Sequence, residues 1–186
     1  MASKTQTKTK KTSVKTAQKS SIAKAVETVI KIDKTAIPKG DSDEDIKKRE
    51  KIIREFYKQW AQLKRDNCKK DCRQCKNSCR KVFNKSLMEY IYVKEISVID
   101  TVEHASKSYH STLAVLHLDY ILKSAVSKGK PVNTDPMCKN QNQFEKMLKM
   151  ECKIIGKKVS LTVGIKRPGR NKVKEKVQYC ITAVDT

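Results

Sequence analysis

The sequence predicts an α+β protein in which N-terminal helices precede a small antiparallel sheet with one inserted helix. Three observations carry that expectation. A strongly marked helix start at Asp41–Asp45 is followed by apolar residues at helical spacing. A run rich in β-branched and aromatic residues begins at Tyr90, and extended segments separated by turn residues close the chain after Phe144. With 186 residues, 38% apolar and 33% charged, the chain supports one modest core with extensions and excludes a large multidomain enzyme.

Taken in order, residues 1–21 hold nine Ser or Thr, six Lys, no acid and no aromatic residue, so they cannot bury enough surface to fold and read as a disordered basic tail. Residues 22–40 read as a short helix, with Ile22, Val26, Val29 and Ile30 on one face, and a linker containing Pro38 and Gly40. Residues 41–85 read as one long, basic, Cys-rich helix. Asp41, Ser42, Asp43, Glu44 and Asp45 place cap residues and negative charge at its start, and Ile46, Ile53, Phe56, Trp60 and Leu63 recur at helical spacing. The absence of Pro and Gly between Asp41 and Gly129 favours continuation to about Phe83, while a break near Asp66 and Asn67 would make a helical hairpin instead.

Residues 86–186 form the α+β domain. Tyr90–Ile99 reads as a strand and Leu113–Ser127 as a helix, closed by the loop from Gly129 to Pro136. Phe144–Ile155 is extended, Ile155-Gly156-Lys157 suggests a turn, and Val159–Ile165 and Val173–Val184 are strands joined by Arg167-Pro168-Gly169-Arg170, whose Pro-Gly pair suits a type II turn.

The 42 Lys and Arg against 20 Asp and Glu give a net charge of +22, distributed as +8 over residues 1–40, +7 over 41–85, +1 over 86–150 and +6 over 151–186. A field of this strength concentrates polyanions, and nucleic acid, RNA or DNA, is the commonest phosphate-bearing partner. Only seven of these cations are Arg, so the attraction is diffuse rather than bidentate. Nine of them, Lys64, Arg65, Lys69, Lys70, Arg73, Lys76, Arg80, Lys81 and Lys85, gather along the expected long helix against Asp66 and Asp71 alone, as a surface tracking phosphates would. No run of apolar residues resembles a signal peptide or membrane span, which points to a cytoplasmic protein, or one packaged in a virion.

Cys68, Cys72, Cys75 and Cys79 would fall within an arc of roughly 60° on one helix face. An unbroken helix separates Cys68 from Cys79 by about 16 Å, whereas zinc holds each sulfur about 2.3 Å away. A zinc site therefore requires a helix break, or two of these Cys with ligands such as Cys138, Cys152 or Cys180; the other readings are a buried stripe, with no cofactor expected, or disulfides. Seven thiols cannot all pair within one chain.

Glu103-His104-Ala105-Ser106-Lys107-Ser108 gathers an acid, an imidazole, hydroxyls and a cation. His104 has the chemistry of a general base toward a ribose 2′-OH, and Lys107 that of a cation stabilising a phosphorane. A strand, then EHASKS, a helix ending near LKSAV, and MECKIIGKKVSLTVGIKRPGRNKVKEKVQYCITAV together resemble the barnase, EndoU, colicin and RelE-like superfamily of nuclease domains. The likeness is closer to a predicted nuclease domain of phage and mobile-element polyvalent proteins, and it covers residues 89–185. It implies a metal-independent endoribonuclease with His104 as catalytic residue and Lys107, Arg167, Arg170 and Tyr179 as phosphate or proton-transfer partners. The last strands hold no second His or Glu for an acid/base pair, so the competing expectation is a non-catalytic nucleic-acid-binding protein of a virion or ribonucleoprotein particle, in company with its other subunits.

Overall fold

Ser42 caps the first helix, its hydroxyl accepting the Asp45 N–H at 3.2 Å, and Asp43, Glu44 and Asp45 fill the turn where the helix dipole favours negative charge. A computed structural model describes residues 30, 32–68, 79–154, 156–168 and 174–184. The chain divides into a unit ending at Lys31 and a unit from Ile32 onward, and the architecture below is that of the second. The tail expected over residues 1–21 and the helix over 22–30 lie outside the described residues, apart from Ile30.

After a 3-10 turn at Lys34–Ala36, helix α1 spans Asp43–Asp66. Hairpin strands β1 (Lys81–Asn84) and β2 (Glu89–Tyr92) lead to three helices, α2 (Glu95–Ala105), α3 (Tyr109–Val115) and α4 (Leu118–Ser124). Two short strands follow, β3 (Val126–Ser127) and β4 (Val132–Asn133), and then the meander β5 (Phe144–Ile154), β6 (Lys157–Lys166) and β7 (Lys176–Val184). One seven-stranded sheet results, ordered β1-β2-β7-β6-β5-β3, with β4 also pairing β5. The α+β class is as expected. The sheet is mixed, however, because β2 runs parallel to β7 through Ile91↔Lys176 and Tyr92↔Val177.

Three element boundaries differ from the sequence expectation, each for a local reason. The helix expected over 41–85 ends at Asp66: Asn67 takes the C-cap position, its side-chain amide bonding the Leu63 carbonyl at 3.0 Å, and Lys81 and Phe83 belong to a strand. The strand expected over Tyr90–Ile99 stops at Tyr92. There Ser97 Oγ accepts the Lys94 N–H at 2.9 Å and donates to the Gln178 carbonyl at 2.6 Å, so a side-chain cap and docking on β7 override the β-propensity of Ile96, Val98 and Ile99. The helix expected over Leu113–Ser127 is two short helices broken at Leu116–His117, and Val126 instead pairs with Glu151. The sheet thus carries three inserted helices rather than one. The β5–β6 turn forms as expected, with Gly156 at φ 74°, while the Pro-Gly turn before β7 falls largely outside the described residues.

The core lies between α1, α2, α4 and the sheet, where Ile53, Trp60, Ile91, Leu118, Leu161 and Ile181 are fully or almost fully buried. Several polar groups inside it are matched. Arg49 is buried and donates to the carbonyls of Ser106 at 2.6 Å, Pro38 at 3.0 Å and Gly40, tying the linker to α1 and the end of α2. Asp119 accepts both Trp60 Nε1 at 2.9 Å and Lys64 Nζ at 2.6 Å, joining α4 to α1. Asn84 fastens the hairpin, its amide donating to Leu122 at 2.8 Å and Ala125 at 2.9 Å and its oxygen accepting the Leu87 N–H at 2.8 Å.

Candidate functional site

Chemistry-bearing groups collect where α2 meets β7. The register of β6 against β7 slips between Thr162↔Cys180 and Val163↔Gln178, leaving Tyr179 as an extra residue on β7, and such a bulge changes the aim of side chains around it. Gln178, fully buried, donates to Thr101 Oγ1 at 2.7 Å and accepts the Tyr57 hydroxyl at 3.1 Å. Burial pushes the Tyr57 phenol well above its ordinary range. Tyr179 packs its ring edge-to-face with Phe144 and its hydroxyl against Cys138 Sγ at 3.3 Å. Burial first, then the neighbouring Cys138 and Asp100, raise that phenol too, although no hydrogen bond of ordinary geometry joins it to Asp100. Cys180 donates to the Asp100 carbonyl at 3.7 Å, and burial followed by the charge of Asp100 pushes its thiol up to about 12. The Cys180 thiol and the Tyr57 and Tyr179 phenols are thereby held neutral near pH 7.

Asp100, Glu103 and His104 occupy positions i, i+3 and i+4 of α2 and therefore share one face. One ligand atom from each lies within 4.8 Å of the others. Asp100 is 1% exposed, whereas Glu103 and His104 are exposed. Asn140 Nδ2 donates to Asp100 Oδ1 at 3.3 Å, while Oδ2 has no hydrogen-bond partner among the described residues. Two oxygens and one nitrogen make this the group among the described residues that could hold a metal ion, while the four-cysteine stripe lies partly outside them.

The expected catalytic residues are only partly brought together. His104 and Tyr179 both neighbour Asp100. Lys107 is exposed in the turn after α2 and Arg167 is exposed beyond β6, and among the described residues no hydrogen bond or ion pair links either to His104. Arg170 lies outside the described residues. His104 sits in a helix rather than after a strand, and its near neighbours are carboxylates.

The expected phosphate-binding helix face is likewise dispersed. Lys64 is engaged with Asp119 and lies 5.1 Å above the Trp60 ring, and Arg65 bonds Gln62. Lys69, Lys70, Arg73 and Lys76 lie outside the described residues, as do Cys72 and Cys75; Cys68 follows α1, and Arg80 precedes β1. Lys81 stands on a different kind of surface. The pairings Lys81↔Tyr92 and Phe83↔Tyr90 put these four residues on one face of the hairpin, because side chains alternate along each strand. Phe83 and Tyr90 are 39% and 47% exposed, their rings meet edge-to-face at 5.3 Å, and Lys81 Nζ lies 4.5 Å from the Tyr90 ring centre. Lys94 Nζ approaches the Tyr92 ring at 5.8 Å.

No family model matches this sequence, and comparison with curated proteins and with solved structures finds no relative. No helix among the described residues is long and apolar enough to cross a membrane. Reading from sequence missed Asp100, because treating Tyr90–Ile99 as a strand concealed the D-x-x-E-H spacing that a helix turns into a cluster. It missed Phe83 and Tyr90 as a pair because Phe83 was counted in a helix; the signal was the K-V-F-N…E-Y-I-Y alternation across a polar turn.

Proposed function

We propose that this protein binds single-stranded nucleic acid, with the Lys81, Phe83, Tyr90 face of the β1–β2 hairpin as its stacking surface. The observation that supports this best is the exposed Phe83–Tyr90 ring pair with the Lys81 ammonium over it, at the edge of the sheet. Aromatic faces accept any base and cations track the backbone, which gives affinity without sequence preference. The net charge of +22 supplies the long-range attraction.

Binding is favoured over metal-independent cleavage because the carboxylates of Asp100 and Glu103 beside His104 repel a phosphodiester that His104 would have to approach. The proposed binding role would suit a descendant of the nuclease superfamily serving in a virion or ribonucleoprotein particle.

Fluorescence anisotropy of the full chain with labelled single-stranded RNA and DNA tests the reading. Affinity should fall steeply with salt. At fixed salt the Phe83→Ala/Tyr90→Ala variant should bind about tenfold or more weakly, since a stacked base is worth ~1–3 kcal/mol. Both side chains are exposed, so the variant should keep the wild-type circular dichroism. Equal affinity of variant and wild type would overturn the assignment of this face. Shortening of the RNA that disappears in His104→Ala would restore the catalytic reading.

A further inference from the structure

We infer that Asp100, Glu103 and His104 form a binding site for one divalent first-row transition ion, independent of the nucleic-acid reading. Asp100 is the buried member of the three. A carboxylate 1% exposed whose Oδ2 has no partner among the described residues is costly, because desolvating an anionic oxygen forfeits its bonds to water. Asn140 occupies Oδ1, fixing the carboxylate so that Oδ2 is the atom left to take a cation. The two residues one turn further along the helix then supply a second carboxylate and an imidazole.

The dimensions fit a small adjustment. Bonds of about 2.1 Å put adjacent ligand atoms about 3.0–3.4 Å apart around one ion. The three atoms already lie within 4.8 Å of one another, and Glu103 and His104 are exposed and free to close the remaining gap by side-chain rotation. An N,O,O set suits Mn2+, Fe2+, Co2+ or Zn2+ better than Ca2+ or Mg2+, which prefer oxygen alone. Three ligands leave positions for water or an anionic oxygen, the arrangement of an open rather than a closed site.

Zinc is a poor probe in a chain with seven thiols, so Mn2+ is used, which thiolates bind weakly. Equilibrium dialysis and electron paramagnetic resonance of the full chain, without nucleic acid, should find one bound Mn2+ per chain. Glu103→Gln and His104→Ala should each weaken it by about tenfold or more, and Mn2+ should raise the melting temperature of the wild type but not of the double variant. Both substituted residues are exposed, so folding is preserved and is checked by circular dichroism. Phe83→Ala/Tyr90→Ala should bind Mn2+ as the wild type does, which separates this inference from the stacking surface. Failure of the wild type to bind Mn2+ at millimolar concentration, or binding unchanged in the Glu103→Gln/His104→Ala double variant, would overturn the site.

Discussion

Asn84 is where the hairpin's attachment is most exposed to test. The side chain is fully buried and uses both amide N–H groups and its oxygen toward the chain, donating to the carbonyls of Leu122 and Ala125 and accepting from the Leu87 N–H. Asn84→Ala leaves those three backbone groups without their partner. At ~1 kcal/mol net for each lost bond the cost comes to about 3 kcal/mol. In a domain of this size that lowers the melting temperature by about 6–12 °C. Asn84→Asp should be worse, since it keeps the acceptor for Leu87 but turns a carboxylate oxygen toward two carbonyls. Urea titration followed by Trp60 fluorescence measures both variants. A loss below ~1 kcal/mol for Asn84→Ala, or an Asn84→Asp variant as stable as the wild type, would refute the claim that these bonds hold the hairpin.

Gly164 lies under the Phe144 ring, where an added Cβ would meet ring atoms at 2.4 and 2.5 Å, so Gly164→Ala should cost ~1–3 kcal/mol by calorimetry, and Phe144→Leu should recover part of it. Alkaline conditions should destabilise the fold. The Cys180 thiol, ordinarily near 9, is raised to about 12, so above pH 9 the unfolded chain releases a proton that the native state keeps. Stability should therefore fall between pH 9 and 12, with the raised phenols of Tyr57 and Tyr179 adding to the decline. A urea midpoint that does not move between pH 8 and pH 11 would contradict this.

Where local chemistry decided the structure, the sequence was legible. Ser42 followed by three acids could only begin a helix, and the β5–β6 turn was readable from Gly156. Where distant partners decided it, the reading failed. Ile96, Val98 and Ile99 favour a strand on their own, yet Ser97 commits them to a helix by bonding a carbonyl 81 residues away. The end of α1 was visible as the Asp66–Asn67 break but was outweighed by the lack of Gly or Pro downstream. His104 was recognised from its company in sequence, whereas Asp100 acquires its position only through the helix that the strand reading removed. Phe83 and Tyr90 become neighbours only through strand pairing.

The way this sheet finishes its borders bears on how the chain behaves when crowded. One border consists of β3 and β4, only two residues each, too short to template another strand. On β7 beyond Val177, side chains from two helices take two backbone groups: Ser97 bonds the Gln178 carbonyl and Ser111 accepts the Ala183 N–H at 2.9 Å. The other border is β1, four residues long with Lys81 in it. Strand-to-strand polymerisation has little foothold on these rims, so the described sheet should resist setting into fibrils at high concentration.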